Sequence, residues 1–99
     1  MKEEFNMIFE IDTTQNIQLK LIDNNKIIKH FESSLKTEKL LELIDKFGFK
    51  KFYPKITKIT VNEGPGGYTS TRIGVIAANI INTFLLKNNK IYTAIYKNP

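Results

Sequence analysis

The apolar positions of this chain change their spacing at a few clear points, and those changes delimit its elements. Met7-Ile8-Phe9-Glu10-Ile11-Asp12 is a mostly apolar run that ends in Asp12-Thr13-Thr14. That is the pattern of a central strand whose last residue emerges into a loop. Ile17, Leu19 and Leu21 then alternate with Gln18 and Lys20, as in a strand with one wet face. Asp23-Asn24-Asn25 is a turn by composition, and Ile27 and Ile28 through Phe31 give a third strand. Residues 7–31 therefore read as an antiparallel meander.

From Thr37 the period lengthens. Leu40, Leu41, Ile44 and Phe47 fall at helical spacing, with Thr37 as the cap, Glu38 in the first turn and Gly48 just past the end. Ile56 to Val61 is a short β-branched run that reads as a buried strand, Ile73 to Leu86 as a long helix, and Ile91 to Ile95 as a fifth strand. Between the fourth strand and the long helix lies Glu63-Gly64-Pro65-Gly66-Gly67-Tyr68-Thr69-Ser70-Thr71-Arg72-Ile73-Gly74, which holds four of the five glycines. Glycine relaxes the backbone where side chains would clash and proline fixes one φ, so this turn is tight and reproducible. Thr69 or Ser70 is placed to cap the helix that follows.

The resulting order is βββαβαβ, an α/β fold in one domain with a mixed five-stranded sheet. The helical crossover between Ile56 to Val61 and Ile91 to Ile95 favours their parallel, right-handed pairing. On the long helix, Arg72, Asn79 and Thr83 form a polar stripe. The apolar remainder spans roughly 260°, against about 100° for an ordinary surface helix. Gly74, Ala78 and Asn82, spaced by four, form a small-residue track along which a second helix fits closely. The apolar surplus buries either against the first helix or against a protein partner.

Charge and composition narrow the picture. Fifteen basic against ten acidic residues give +5, but Arg72 is the one arginine. Lysines supply diffuse phosphate attraction, whereas planar bidentate base readout is mostly an arginine property. Residues 46–58 carry Lys46, Lys50, Lys51, Lys55 and Lys58 among Phe47, Phe49, Phe52 and Tyr53. Two readings apply: contact with single-stranded RNA through stacking and phosphate attraction, or rings packed under a loop with the lysine amines in water. With no cysteine, neither a disulfide framework nor a thiolate metal site is available. The apolar runs are too short for a bilayer, and Met1-Lys2-Glu3-Glu4-Phe5 lacks the order of a signal peptide. A cytoplasmic protein without membrane contact is expected. His30 is the single histidine and has no Ser, Cys or second His in pattern, so a nucleophilic triad is not indicated. The glycine-rich turn has the look of a phosphate nest, yet no Gly-x-x-x-x-Gly-Lys-Ser/Thr loop is present.

Ile11-Asp12-Thr13-Thr14 opening a meander, Thr37-Glu38-Lys39-Leu40-Leu41 opening the first helix, and Gly64-Pro65-Gly66-Gly67-Tyr68-Thr69-Ser70-Thr71-Arg72-Ile73-Gly74 opening the second together resemble the N-terminal lobe of TsaB (YeaZ-type) proteins. The glycine-rich segment is similar to that family's Gly-Pro-Gly-Ser-Phe-Thr-Gly-Leu-Arg-Ile-Gly signature. Gly67 and Tyr68 stand in place of its Ser and Phe, Ser70 and Thr71 in place of its Gly and Leu, and Lys36 where a His often precedes the first helix. The resemblance implies a single truncated lobe, residues 1–99, of actin-like, ribonuclease-H-like fold, because family members carry a second lobe after the fifth strand.

It also implies a role in making threonylcarbamoyladenosine in transfer RNA, as a non-catalytic subunit paired with a TsaD-type subunit and working with a TsaE-type ATPase. A homodimer is the other pairing, contact with transfer RNA is at most indirect, and no cofactor is expected. The partner interface would use Leu40, Leu41, Ile44, Gly74, Ala77, Ala78, Ile81 and Asn82. Pro65, Gly67, Tyr68, Thr69 and Arg72 would shape the motif itself. In actin-like kinases and ATPases an Asp after the first strand lies near phosphate and Mg²⁺. An alternative is therefore a small nucleotide-binding enzyme using Asp12, Thr13, Gly64, Gly66 and Thr69. Against it, one carboxylate and two hydroxyls make a poor metal site alone, and Asp12 is equally suited to receive hydrogen bonds from the neighbouring turn.

Overall fold

A computed structural model describes residues 6–34, 36–87 and 90–95; Met1 to Phe5 and Lys97 to Pro99 lie outside the described residues. The meander forms as its alternation requires: β1 (Met7–Asp12), β2 (Ile17–Asp23) and β3 (Lys26–Ser33) pair antiparallel, β1 with β2 and β2 with β3. Asn24 and Asn25 turn the β2–β3 hairpin with φ of 50° and 68°. This is the left-handed pair of a two-residue hairpin turn, which asparagine tolerates well. In β1 and β2, Met7, Phe9, Ile11, Ile17, Leu19 and Leu21 face the core while the residues between them are half-buried.

A 3₁₀ turn, Thr37–Lys39, leads into α1 (Leu40–Phe47). Thr37 does not cap it; Lys36 precedes the turn and no side-chain cap bond forms. The tighter turn satisfies Lys39 N–H with the Lys36 carbonyl instead. Gly48 ends α1 in the left-handed conformation (φ 101°) and donates its N–H to the Asp45 carbonyl. The short helix α2 (Phe49–Phe52) and a 3₁₀ turn (Tyr53–Lys55) then bring the chain to β4 (Ile56–Val61).

β4 lies parallel to β1, so the sheet order is β3-β2-β1-β4. The fifth strand expected at Ile91 to Ile95 is not formed, and neither is its parallel pairing with Ile56 to Val61. One backbone bond, from Ile95 N–H to the Glu63 carbonyl, and several side chains hold that segment's backbone instead. Asn79 accepts from Tyr92 N–H (2.8 Å) and donates to its carbonyl (2.9 Å), Thr93 N–H donates to Glu63 Oε2 (2.8 Å), and Asn82 Nδ2 donates to the Lys90 carbonyl (3.0 Å). With its polar groups met this way, the segment is a strap beside β4, not a ladder strand.

The long helix α3 (Tyr68–Ile80) continues as a π turn, Ile81–Leu85. It starts five residues earlier than its apolar periodicity indicated. Thr69 and Ser70 therefore lie inside the first turn and do not cap it; Gly67 occupies the cap position and makes no side-chain bond. Helices α1 and α3 cover one sheet face. Leu40, Leu43, Ile44, Phe47 and Phe49 pack with Val75, Ala77, Ala78 and Ile81 over β1, β2 and β4. Phe9 lies at the centre, its ring 5.6 Å from Phe47 and 5.3 Å from Phe49.

Candidate functional site

The ends of β1 and β4 meet at Asp12. Its Oδ1 accepts from Thr14 N–H (2.9 Å) and from Thr14 Oγ1 (2.7 Å), while Oδ2 accepts from Asn62 Nδ2 (3.1 Å). Asn62 passes the link on, since its Oδ1 accepts from Gly64 N–H (3.0 Å). One carboxylate thus ties the first loop to the glycine-rich turn. Burial pushes the Asp12 pKa up. The hydrogen bonds from Thr14 and Asn62 and the charge of Lys20 outweigh it, leaving Asp12 below its ordinary value of 3.8.

The glycines of the turn mark close approaches. Gly64 has φ of 115°, follows Asn62 in that network and precedes a cis bond to Pro65; a Cβ there would overlap the Ile95 carbonyl. At Gly66 a Cβ would fall 2.6 Å from Thr14 Cβ and 2.6 Å from Thr71 Oγ1. At Gly74 it would collide with Thr13 Oγ1, which donates to the Ser70 carbonyl (2.6 Å) and is fully buried. Thr13 is therefore a bolt between β1 and α3, turned away from any ligand. Among the nucleotide candidates, Asp12, Thr13, Gly64 and Gly66 do come together, but each is engaged with protein. Thr69 sits apart, lining an open cleft with Gln15, Lys36, Glu38 and Ser70. Among the described residues no group of three His, Cys, Asp or Glu side chains could hold a metal ion.

The residues assigned to a partner interface divide sharply. Leu40, Ile44, Gly74, Ala77, Ala78, Ile81 and Asn82 are buried within the chain, and the small-residue track faces the sheet. The track lets α3 approach β1 closely; it does not receive an outside helix. Leu41 alone of that set is exposed, at 72%. The outward apolar residues are Ile76, Ile80, Phe84 and Leu85, which sequence reasoning left out. Their signal was present as the spacing of Ile76, Ile80 and Phe84, four apart. With Thr37, Leu40, Leu41, Ile73 and Ala77, Ile76 and Ile80 line an apolar groove of about 200 Å³ between the start of α1 and α3. In the motif, Pro65, Gly67, Tyr68, Thr69 and Arg72 are all exposed.

The stretch of lysines and aromatics resolves as well. Phe47 and Phe49 are buried, Phe52 and Tyr53 pack against the core, and Lys46, Lys50, Lys51, Lys55 and Lys58 stand in solvent. Burial removes Phe47 and Phe49 as stacking platforms, while Phe52 and Tyr53 are half-buried against the core. His30 is an exposed residue of β3.

A mixed parallel and antiparallel sheet, two helices on one face and a strand, glycine turn and helix at one end define an α/β lobe. Among solved structures the chain is similar to YeaZ from Pseudomonas aeruginosa, with a TM-score of 0.67 at 16% identity. A second similar structure, at the same TM-score and identity, is described as an uncharacterized protein with similarity to peptidase YEAZ, also from Pseudomonas aeruginosa. The likeness covers 90% of this chain, which spans 44% and 43% of those two. No protein-family model matches the sequence, and no curated protein matches it. No described helix is long and apolar enough to cross a membrane.

Proposed function

We propose that this chain is a non-catalytic docking subunit in the formation of threonylcarbamoyladenosine in transfer RNA, binding a TsaD-type subunit through the outward face of α1 and α3. The observation that carries this reading is the exposed apolar ridge. Leu41, Ile76, Ile80 and Phe84 are 72%, 45%, 52% and 71% exposed, beside a groove lined mainly by apolar side chains. Covering a large apolar side chain contributes about 1.5–3 kcal/mol, so the ridge holds enough driving force for several anchors of an interface. The fold likeness to YeaZ supports the choice of pathway, and the engagement of Asp12 and Thr13 with protein groups supports the non-catalytic role. A TsaE-type ATPase is the third component of the proposed assembly.

Titration calorimetry with a TsaD-type protein tests the reading. A saturable complex is expected, weakened at least about 10-fold by Phe84→Glu, since hot-spot truncations cost more than 1 kcal/mol. A second copy of this chain competes for the same face; self-association with no affinity for the TsaD-type protein would overturn the choice of partner. Ala78→Arg is unsuitable as a probe because Ala78 is fully buried, so that change would unfold the lobe.

A further inference from the structure

Residues 46–62 hold five lysines and no Asp or Glu. The connection from the end of α1 to β4 thus carries +5 by itself, equal to the net charge of the whole chain. The fold keeps that connection rigid and turns its charges outward. Phe49 packs on Phe9 and Tyr53, Tyr53 Oη donates to the Leu85 carbonyl (2.9 Å), and Lys51 and Phe52 N–H groups both donate to the Gly48 carbonyl.

Two ammonium groups lie by one ring of this anchor, one of them, Lys29, also donating to the Phe47 carbonyl. Lys51 Nζ lies 5.9 Å from the centre of the Phe52 ring and Lys29 Nζ, reaching across from β3, lies 5.5 Å from the same ring. Lys46 shares a cavity with Lys29 and His30. The nearest carboxylate pairing is weak: Asp45 stands 3.8 Å from Lys50, whose side chain is 90% exposed.

We propose that this face binds the phosphodiester backbone of structured RNA. The chemistry selects a polyanion with regularly spaced charges, which several exposed lysines on one rigid segment neutralise by releasing counterions. Phe47 and Phe49 are buried, Phe52 and Tyr53 are half-buried against the core, and no arginine is present there, so the contact reads charge and shape more than base identity. A membrane surface fits less well, because within residues 46–58 Phe47 and Phe49 are buried and Phe52 and Tyr53 pack partly against the core, which leaves no fully exposed ring beside those lysines to enter the interface. The choice of RNA over DNA rests on the proposed role in transfer-RNA modification, while the basic face does not.

Fluorescence anisotropy with a labelled RNA hairpin tests it on the whole chain. For about four phosphate contacts, affinity should fall about 100-fold between 50 and 200 mM salt. Lys46→Gln/Lys51→Gln/Lys55→Gln should abolish most of the binding and flatten the salt dependence. Lys36→Gln/Lys39→Gln/Lys87→Gln, which removes the same number of charges elsewhere, should bind almost as wild type. Rescue is expected from Lys46→Arg/Lys51→Arg/Lys55→Arg. Equal losses in the two glutamine variants would show net charge alone at work and overturn the proposal, as would absence of binding at 50 mM salt. A DNA duplex of equal length bound more tightly than the hairpin would overturn the choice of RNA. Neither result touches the apolar ridge, whose affinity for the TsaD-type protein is measured separately.

Discussion

At the scale of single residues, two contacts decide how the first loop meets the glycine turn. Asp12 is held ionised by donors from Thr14 and Asn62, and its pKa is lowered in the fold. The unfolded chain therefore binds the Asp12 proton more readily. The resulting stability is fully present above about pH 5 and is lost as pH falls through 3.8 and then through the lower folded value. Asp12→Asn should cost about 1–2 kcal/mol in urea denaturation at pH 7, with the gap to wild type narrowing as pH falls below 3.8. A gap that persists unchanged in acid would contradict the account. Gly74 is the second contact. At a free helix position Gly→Ala gains about 1 kcal/mol, but here the added Cβ overlaps Thr13 Oγ1 in a closed interior, where overpacking costs about 1–3 kcal/mol. The clash should win, and Gly74→Ala should lower the melting temperature; an increase would mean that Thr13 yields freely.

At the scale of elements, β1 to β4 and the positions of α1 and α3 were legible because each rests on local periodicity, whereas the strand expected at Ile91 to Ile95 is replaced by a strap. Met7, Phe9 and Ile11 alternate with half-buried neighbours, and Leu40, Ile44 and Phe47 repeat at helical spacing in α1. What was not legible is decided by distant groups. On α3 the apolar arc is wide enough for either side to face the sheet. The choice is made by the Gly74–Thr13 approach and by Asn82 bonding the Lys90 carbonyl, so the small-residue track went inward. Asn79, which looked like part of a solvated stripe, brackets the Tyr92 backbone. Helix starts were misjudged for a related reason: Gly67 and the 3₁₀ turn at Thr37 manage the free amides without the hydroxyl caps that composition suggested. The strap at residues 90–95 gives the element-scale test. Asn79→Ala removes two hydrogen bonds worth about 1–3 kcal/mol together, and amide exchange at Tyr92 should quicken about 10-fold or more. Unchanged exchange there would mean that the strap is held without Asn79, by Tyr92 Oη on the Ile59 carbonyl and by the bonds of Glu63 and Asn82.

For the whole molecule, two surfaces stand apart from the core that supports them. The sheet face that carries the helices is closed by Phe9, Phe47 and Phe49, and beyond it α3 turns Ile76, Ile80 and Phe84 outward. The basic segment leaves the end of α1 and carries five lysines without an acidic residue. A lobe built this way has an apolar surface on α1 and α3 suited to protein and a charged surface suited to phosphate, with Ile27, Ile28 and Phe31 of β3 exposed besides, while Asp12 and the glycine turn fix the angle at which α3 leaves the sheet. The candidate nucleotide loop was legible as a cluster, since Asp12, Thr13, Gly64 and Gly66 do assemble; its structural use was not, because the hydroxyl of Thr13 and Oδ2 of Asp12 are directed by partners 50 or more residues away. Hydrogen exchange of this chain, free and mixed with a TsaD-type protein, tests the docking claim most directly. Slowed exchange confined to residues 37–44 and 73–86 is the expected result; slowed exchange on the uncovered sheet face, or none anywhere, would contradict it.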